Sequence, residues 1–337
     1  MLMSRPITSA LIAAAICALL AASFFVWPRG AGKEYEGAVE KITVGVARIE
    51  AASLLYLAQE RGFFRARGLD VKLVEYSAGV LAADDLLAEK LDVATTSEFA
   101  AVAKLSVNSG VRILASIVRA DTLEVIGRRD RGIEKPSHLR GKRIAVTRDS
   151  GGDFFLGTFL ADHGIPAESV TFVDLPPPGI LEALAAGTAD AAMTWEPAVG
   201  WIKERLGQNA VHWPGQGGRG YYMVLLARDE FLRDRPRAAE RLLRALIDAE
   251  EYAAGQPSQA QEFIAMRLGY DRALLESLWA RCDFRVRLDQ DLLILMEDEA
   301  RWAIRRRGLK REVPNYLDVI RWEPLGKIRP GAVTVIH

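Results

Sequence analysis

The chain has 337 residues, half of them hydrophobic and 26% charged, with 44 basic side chains balanced by 44 acidic ones. That length fits two lobes of ordinary size, and the balanced charge gives no reason to expect nucleic acid as a partner. Cys17 and Cys282 stand without a CxxC or Cys/His cluster, which argues against a disulfide framework or a metal site.

Arg5 precedes an uncharged run, residues 7–27, and Arg29 and Lys33 follow it. A basic start and a long apolar run predict export. Ala21-Ala22-Ser23 offers a small-residue cleavage site. The run is also about the ~20 residues that cross a bilayer, so a cleaved signal peptide and a retained inner-membrane anchor both stay open. Ile16 before Cys17 is bulkier than lipoprotein processing favours, which argues against lipidation. Residues 1–40 therefore read as signal or anchor plus tether, with the folded part starting near Lys41. Without Cys17, Cys282 is a lone thiol expected to be buried and inert.

From Lys41 strands alternate with helices. Residues 42–47 predict a buried strand, and the loop 48–53 leads into a helix over 54–61. A strand over 71–76, a helix over 79–90 and a strand over 93–95 follow. Thr96-Ser97-Glu98 then opens a helix over 99–106 in a capping arrangement, before a strand over 113–119. The order then repeats. Residues 141–147 predict a strand, 148–153 a glycine loop, 154–163 a helix, 170–175 a strand, 179–186 a helix and 189–193 a strand. Trp195-Glu196-Pro197 opens the next helix, with proline in its first turn.

The halves share local marks as well as element order. Gly79-Val-Leu matches Gly179-Ile-Leu, and Lys90-Leu-Asp-Val-Ala matches Thr188-Ala-Asp-Ala-Ala. Thr96-Ser97-Glu98 falls where Thr194-Trp195-Glu196 does, at an offset of 196 − 98 = 98 residues. The expected architecture is two doubly wound α/β lobes joined by a two-segment hinge. Residues 41–120 and 222–327 form the first lobe, 121–221 the second, and 328–337 a dispensable tail. A strand over 222–227 and helices over 237–255, 258–268, 271–282 and 289–307 complete the first lobe.

In open parallel sheets, ligands bind beyond the carboxyl ends of the strands. The candidate loops are 48–53 and 95–98 in the first lobe, and 148–153 and 194–197 in the second. From these come the candidate ligand-binding residues Arg48, Glu50, Ser53, Thr96, Ser97, Glu98, Arg148, Ser150, Gly151, Gly152, Asp153, Trp195 and Glu196. Asp121 and Thr122, in the segment 117–128 that crosses between lobes, complete the set. Residues 212–220 form the return crossing, and two crossings make a hinge suited to closing on a small solute. The Ser-Gly-Gly loop should present backbone N–H groups at the positive end of a helix, which favours a polar or anionic group. Glu50, Glu98 and Glu196 leave two readings open. As helix caps they say nothing of the ligand; facing the cleft they ask for a ligand with nitrogen donors.

Several stretches together resemble the periplasmic solute-binding proteins of ABC transporters, of the nitrate/sulfonate/taurine type that includes pyrimidine-precursor binders. They are Ile42-Thr-Val-Gly-Val, Leu57-Ala-Gln-Glu-Arg-Gly-Phe-Phe, Gly68-Leu-Asp-Val, Leu139-Arg-Gly-Lys-Arg-Ile-Ala-Val and Trp195-Glu-Pro. The resemblance covers residues 41–327. It implies a type II binding-protein fold, a ligand held between the lobes, delivery to a permease with its ATPase, a location in the periplasm or on the outer face of the cytoplasmic membrane, and a monomer. The loop at 48–53 lacks the proline many relatives carry, which leaves the ligand open. No cofactor is expected. The fold also serves enzymes of menaquinone and thiamine-pyrimidine synthesis, and an anchored sensor is a further alternative. Against catalysis, none of His138, His163, His212 and His337 stands in a nucleophile setting, and no HExxH or GxSxG occurs. The carboxylates of Asp84-Asp85 and Glu297-Asp298-Glu299 read as solvated helix faces.

Overall fold

The computed structural model describes residues 35–105, 110–306, 308, 310 and 312–336. The apolar run 7–27 and Cys17 lie outside them. Among the described residues no helix is long and apolar enough to cross a membrane. Among the described residues, eleven strands form two mixed sheets. β1 (Glu40–Ala47), β2 (Leu69–Tyr76), β3 (Val93–Ser97), β4 (Val111–Ala120), β10 (Tyr221–Arg228) and β11 (Cys282–Asp283) make the first, in the order β11-β4-β10-β3-β1-β2. β5 (Glu124–Arg128), β6 (Arg143–Val146), β7 (Thr171–Asp174), β8 (Ala191–Thr194) and β9 (Ala210–Pro214) make the second, ordered β7-β6-β8-β5-β9.

The two sheets have one topology. β1 lies parallel between β2 and β3, as β6 lies between β7 and β8. Each third strand is followed by an antiparallel strand from the other crossing, β10 beside β3 and β5 beside β8. The matched aspartates explain part of the repeat. Asp92 accepts from Thr43 N (2.7 Å) and Asp190 from Arg143 N (3.0 Å), so each ties the entry of its own strand to the neighbouring parallel strand. The matched glycines differ. A Cβ on Gly79 would meet the Thr96 Cα at 2.8 Å, so only glycine lets that helix approach β3, whereas one on Gly179 would make ordinary contacts.

Among the described residues, thirteen helices cover the sheets. In the first part of the chain these are α1 (Ser53–Glu60), α2 (Phe63–Ala66), α3 (Gly79–Leu87) and α4 (Glu98–Leu105). Over the second sheet lie α5 (Gly151–Asp162), α6 (Pro177–Ala186) and α7 (Ala198–Leu206). The remainder are α8 (Asp229–Asp234), α9 (Pro236–Gly255), α10 (Pro257–Leu268), α11 (Arg272–Trp279), α12 (Gln290–Arg306) and α13 (Glu323–Ile328). A cluster of Ile126, Ile180, Leu184, Val199 and Ile202 packs α6 and α7 on the second sheet. The main core runs through the first sheet, where β10 is buried along nearly its whole length.

Several sequence expectations change. The helix expected over 271–282 ends at Trp279, and Cys282 and Asp283 pair instead with Ala120 and Arg119 of β4. The crossing segment 117–128 resolves into the end of β4, a short link at 121–123, and β5; the return is β9 followed by 215–220. Gln216, fully buried, joins the two links. It accepts from Leu123 N at 2.9 Å and donates to Ala120 O at 3.1 Å and Arg219 O at 2.7 Å. The tail is packed rather than loose: Leu288 N donates to Ala332 O, Thr334 N donates to Leu288 O, and Val335 is buried. Finally, Glu299 is not solvated but fully buried on α12, whereas Glu297 and Asp298 pair with Arg301.

Candidate functional site

The loops at the carboxyl ends of the parallel strands of both sheets meet around one cavity of about 40 Å³. From the first sheet's side come Ala47 at the end of β1 and Ile49 after it, Gly79 and Val80 after β2, and Thr96 and Ser97 at the end of β3. From the second come Ser150, Gly151 and Gly152 at the start of α5, with Trp195 after β8. Leu123 on the first crossing, and Tyr221 and Met223 at alternate positions of β10, close the wall.

Ser97 joins the two sides. Its Oγ accepts from Ala100 N (3.3 Å), capping α4, and from Gly151 N (3.0 Å) on the facing lobe. Ser150 Oγ donates to Thr147 O at 2.7 Å, which holds the loop against its own strand. The Thr96 hydroxyl is fully buried on the wall and has no hydrogen-bond partner. Gly151 is a glycine that no backbone strain requires. Its φ lies outside the left-handed region, and an added Cβ would meet the Ser97 side chain at 3.4 Å. A side chain as small as alanine's therefore fits against the other lobe there.

The charged candidates lie off this wall. Arg48 turns outward, donating to Leu268 O at 3.3 Å and facing Glu75 at 3.9 Å. Arg148 pairs with the buried Asp153 at 3.2 Å and lies over the Phe172 ring, and Arg306 of α12 reaches the other Asp153 oxygen at 3.3 Å. Burial raises the Asp153 carboxyl, against the pull of Arg306 and Arg148. Glu196 accepts from Gly200 N at 2.8 Å, so it caps α7. Glu98 accepts from Tyr222 N at 2.9 Å and shares its pocket with Glu299; burial lifts both carboxyls well above the usual range. Glu50 is buried near Thr122, Arg281 and Tyr221 and does not line the cavity, and burial pushes it up to about 7. Ser53 Oγ donates to Glu50 O at 2.6 Å inside the first turn of that segment. Asp121 is half-buried on the crossing, its carboxyl raised by desolvation. Of the candidates, Thr96, Ser97, Ser150, Gly151, Gly152 and Trp195 share the cavity wall.

Sequence reasoning missed the loop after β2 and the apolar floor. Gly79 stands at the end of a parallel strand, so the rule that selected the other loops applied to it too. Tyr221 and Met223 carried the period-2 signal of a strand face, but nothing local says which face meets the cleft.

Comparisons with known proteins agree with this architecture. The NMT1/THI5-like family model matches residues 51–260. The taurine-binding periplasmic protein of Escherichia coli (strain K12) is 28% identical over 222 residues, covering 65% of this chain and 68% of the relative. Among solved structures, the alkanesulfonate-binding protein SsuA from Xanthomonas axonopodis pv. citri, bound to MOPS, superposes with a TM-score of 0.72 at 18% identity, covering 84% of this chain and 99% of that one. The Escherichia coli periplasmic aliphatic sulphonate binding protein SsuA gives 0.65 at 16% identity, covering 84% and 98%. With a family model spanning most of the folded part and a two-lobed periplasmic binding protein fold, this chain belongs to the NMT1/THI5-like family.

Proposed function

We propose that the protein is an extracytoplasmic solute-binding protein that captures a small organic sulfonate between its lobes and delivers it to an ABC permease. The observation that carries this reading is the composition of the cavity wall. It combines the start of α5 at Gly151-Gly152, the free Thr96 hydroxyl, the Ser97 hydroxyl, whose O–H is not spent on the two bonds it accepts, and an apolar remainder, with no carboxylate among the described lining residues. Hydroxyls and a helix N-terminus suit an oxyanion head. Ile49, Val80, Leu123, Trp195 and Met223 suit an apolar body. The relatives named for taurine and alkanesulfonates support the same class, and those named periplasmic support the extracytoplasmic location.

With Glu50, Glu98 and Glu196 off the wall, the reason to expect an amine on the ligand falls away. Ethanesulfonate should therefore bind more tightly than taurine, which adds an ammonium group with no partner there. A thermal-shift and calorimetric screen of sulfonates, taurine, nitrate, pyrimidines and short amines tests the assignment. At ligand concentrations near 100 times Kd, binding adds about 2.7 kcal/mol, a shift of roughly 5 °C for a chain of this size. Stabilisation by amines or pyrimidines alone would overturn the sulfonate reading.

A further inference from the structure

A second hollow of about 250 Å³ lies at the mouth of the cleft, outside the inner cavity. It too draws on both lobes. Tyr76 lines it from the end of β2, Pro177 and Pro178 from the start of α6, and Trp201 from α7. Ile49 and Trp195 belong to the walls of both spaces, so these two side chains form the partition between them. The groove's cation, Arg48, faces Glu75 at 3.9 Å, which leaves the groove largely apolar and without a free charge. Trp201 is 47% exposed, a large aromatic surface left at the cleft mouth.

The inner cavity sets the size limit. At about 40 Å³ it has room for a head group of a few heavy atoms, since a single water needs roughly 10–15 Å³ on the same measure. A longer solute must keep the cleft open or send its remainder past Ile49 and Trp195.

We propose that the outer groove is a tail subsite: the protein takes organosulfonates whose head sits in the inner cavity and whose alkyl or aryl tail lies between Tyr76, Pro177-Pro178 and Trp201. This rests on the sulfonate reading of the inner cavity and extends it to ligand length. The groove selects for an apolar tail, because its aromatic and proline surfaces are dewetted by hydrocarbon and offer no partner to a charged terminus.

Calorimetric titration with ethane-, butane- and hexanesulfonate, on the wild type, Trp201→Ala and Trp201→Phe, tests this. Each methylene that enters the groove raises affinity about fourfold. The wild-type ratio of hexane- to ethanesulfonate affinity should then be on the order of 100, reduced about tenfold in Trp201→Ala and largely retained in Trp201→Phe. Trp201 is exposed on a helix surface, so folding of both variants can be verified by their unliganded melting curves. A flat length series, or a wild-type ratio that survives Trp201→Ala, overturns the tail subsite while ethanesulfonate binding keeps the sulfonate reading. Failure of every sulfonate to bind removes that reading and the subsite with it.

Discussion

Gly151 bridges the two lobes, its N–H bonded to Ser97 Oγ and its missing Cβ 3.4 Å from the Ser97 Cβ. Alanine there adds an ordinary contact. The branched methyls of Gly151→Val must push into Ser97 or the cavity. Affinity for a sulfonate should fall tenfold or more, about 1.4 kcal/mol, while the unliganded melting temperature moves little. Collapse of melting with normal binding by the residual folded protein would make the loop scaffold. Trp195 separates the two roles less cleanly. It is 8% exposed, walls the cavity and packs in the core, so Trp195→Ala should lower both stability and affinity. The sequence makes Ser97, Gly151 and Trp195 findable because topology fixes which loops stand at the carboxyl ends of the strands. It gives no such help with Arg48 or Arg148. Both occupy the right loops, but their heads are turned away by partners such as Leu268, 220 residues on, and by the Phe172 ring.

At the scale of elements, the repeat was legible because the same tethering aspartate recurs beside the same parallel strand, a local need with a local signal. Gln216 had no such signal, since its partners Leu123 and Ala120 lie 93 and 96 residues away. Gln216→Ala would strand one buried N–H and leave Ala120 O without this donor, so we expect a loss of about 2–4 kcal/mol in denaturant unfolding. A change below 0.5 kcal/mol would show that water replaces the amide without penalty. The buried pair of Glu98 on α4 and Glu299 on α12 predicts a pH effect. Both carboxyls are raised, so the folded chain keeps protons that the unfolded chain releases above its ordinary carboxylate range, near 4.5. Stability should therefore fall as pH rises from that range through neutrality, with each such carboxyl contributing about 1.4 kcal/mol per pH unit, and no effect of the pair below it. Glu299→Gln should flatten the melting-temperature profile between pH 5 and 8. Parallel profiles for variant and wild type would mean that the pair is not protonated in the folded state.

For the molecule as a whole, the question is whether the cleft opens. Beyond Ser97 and Gly151, α12 fastens the second lobe to the first. Trp302 packs edge-on against Phe99 of α4 and Phe154 of α5, with centroids 5.5 Å away in each case, and Arg306 reaches Asp153. Gly157 makes room for this, since a Cβ there would stand 2.5 Å from the Trp302 ring. Among the described residues these contacts join elements that the links at 121–123 and 215–220 connect through the backbone of the two sheets, so opening about those links would break them. We expect ligand to shift the population toward the closed form, with a smaller radius of gyration in solution scattering. Gly157→Val wedges the Trp302 ring outward and should hold the lobes apart. Its apparent affinity then falls in proportion to the lost closed fraction, because apparent Kd is the intrinsic value divided by the competent population. Scattering from the unliganded variant should match or exceed the open wild-type dimensions, and saturating sulfonate should compact it less. If wild-type profiles with and without ligand coincide, and Gly157→Val changes neither dimensions nor affinity, the cleft is rigid and solute must enter through the outer groove.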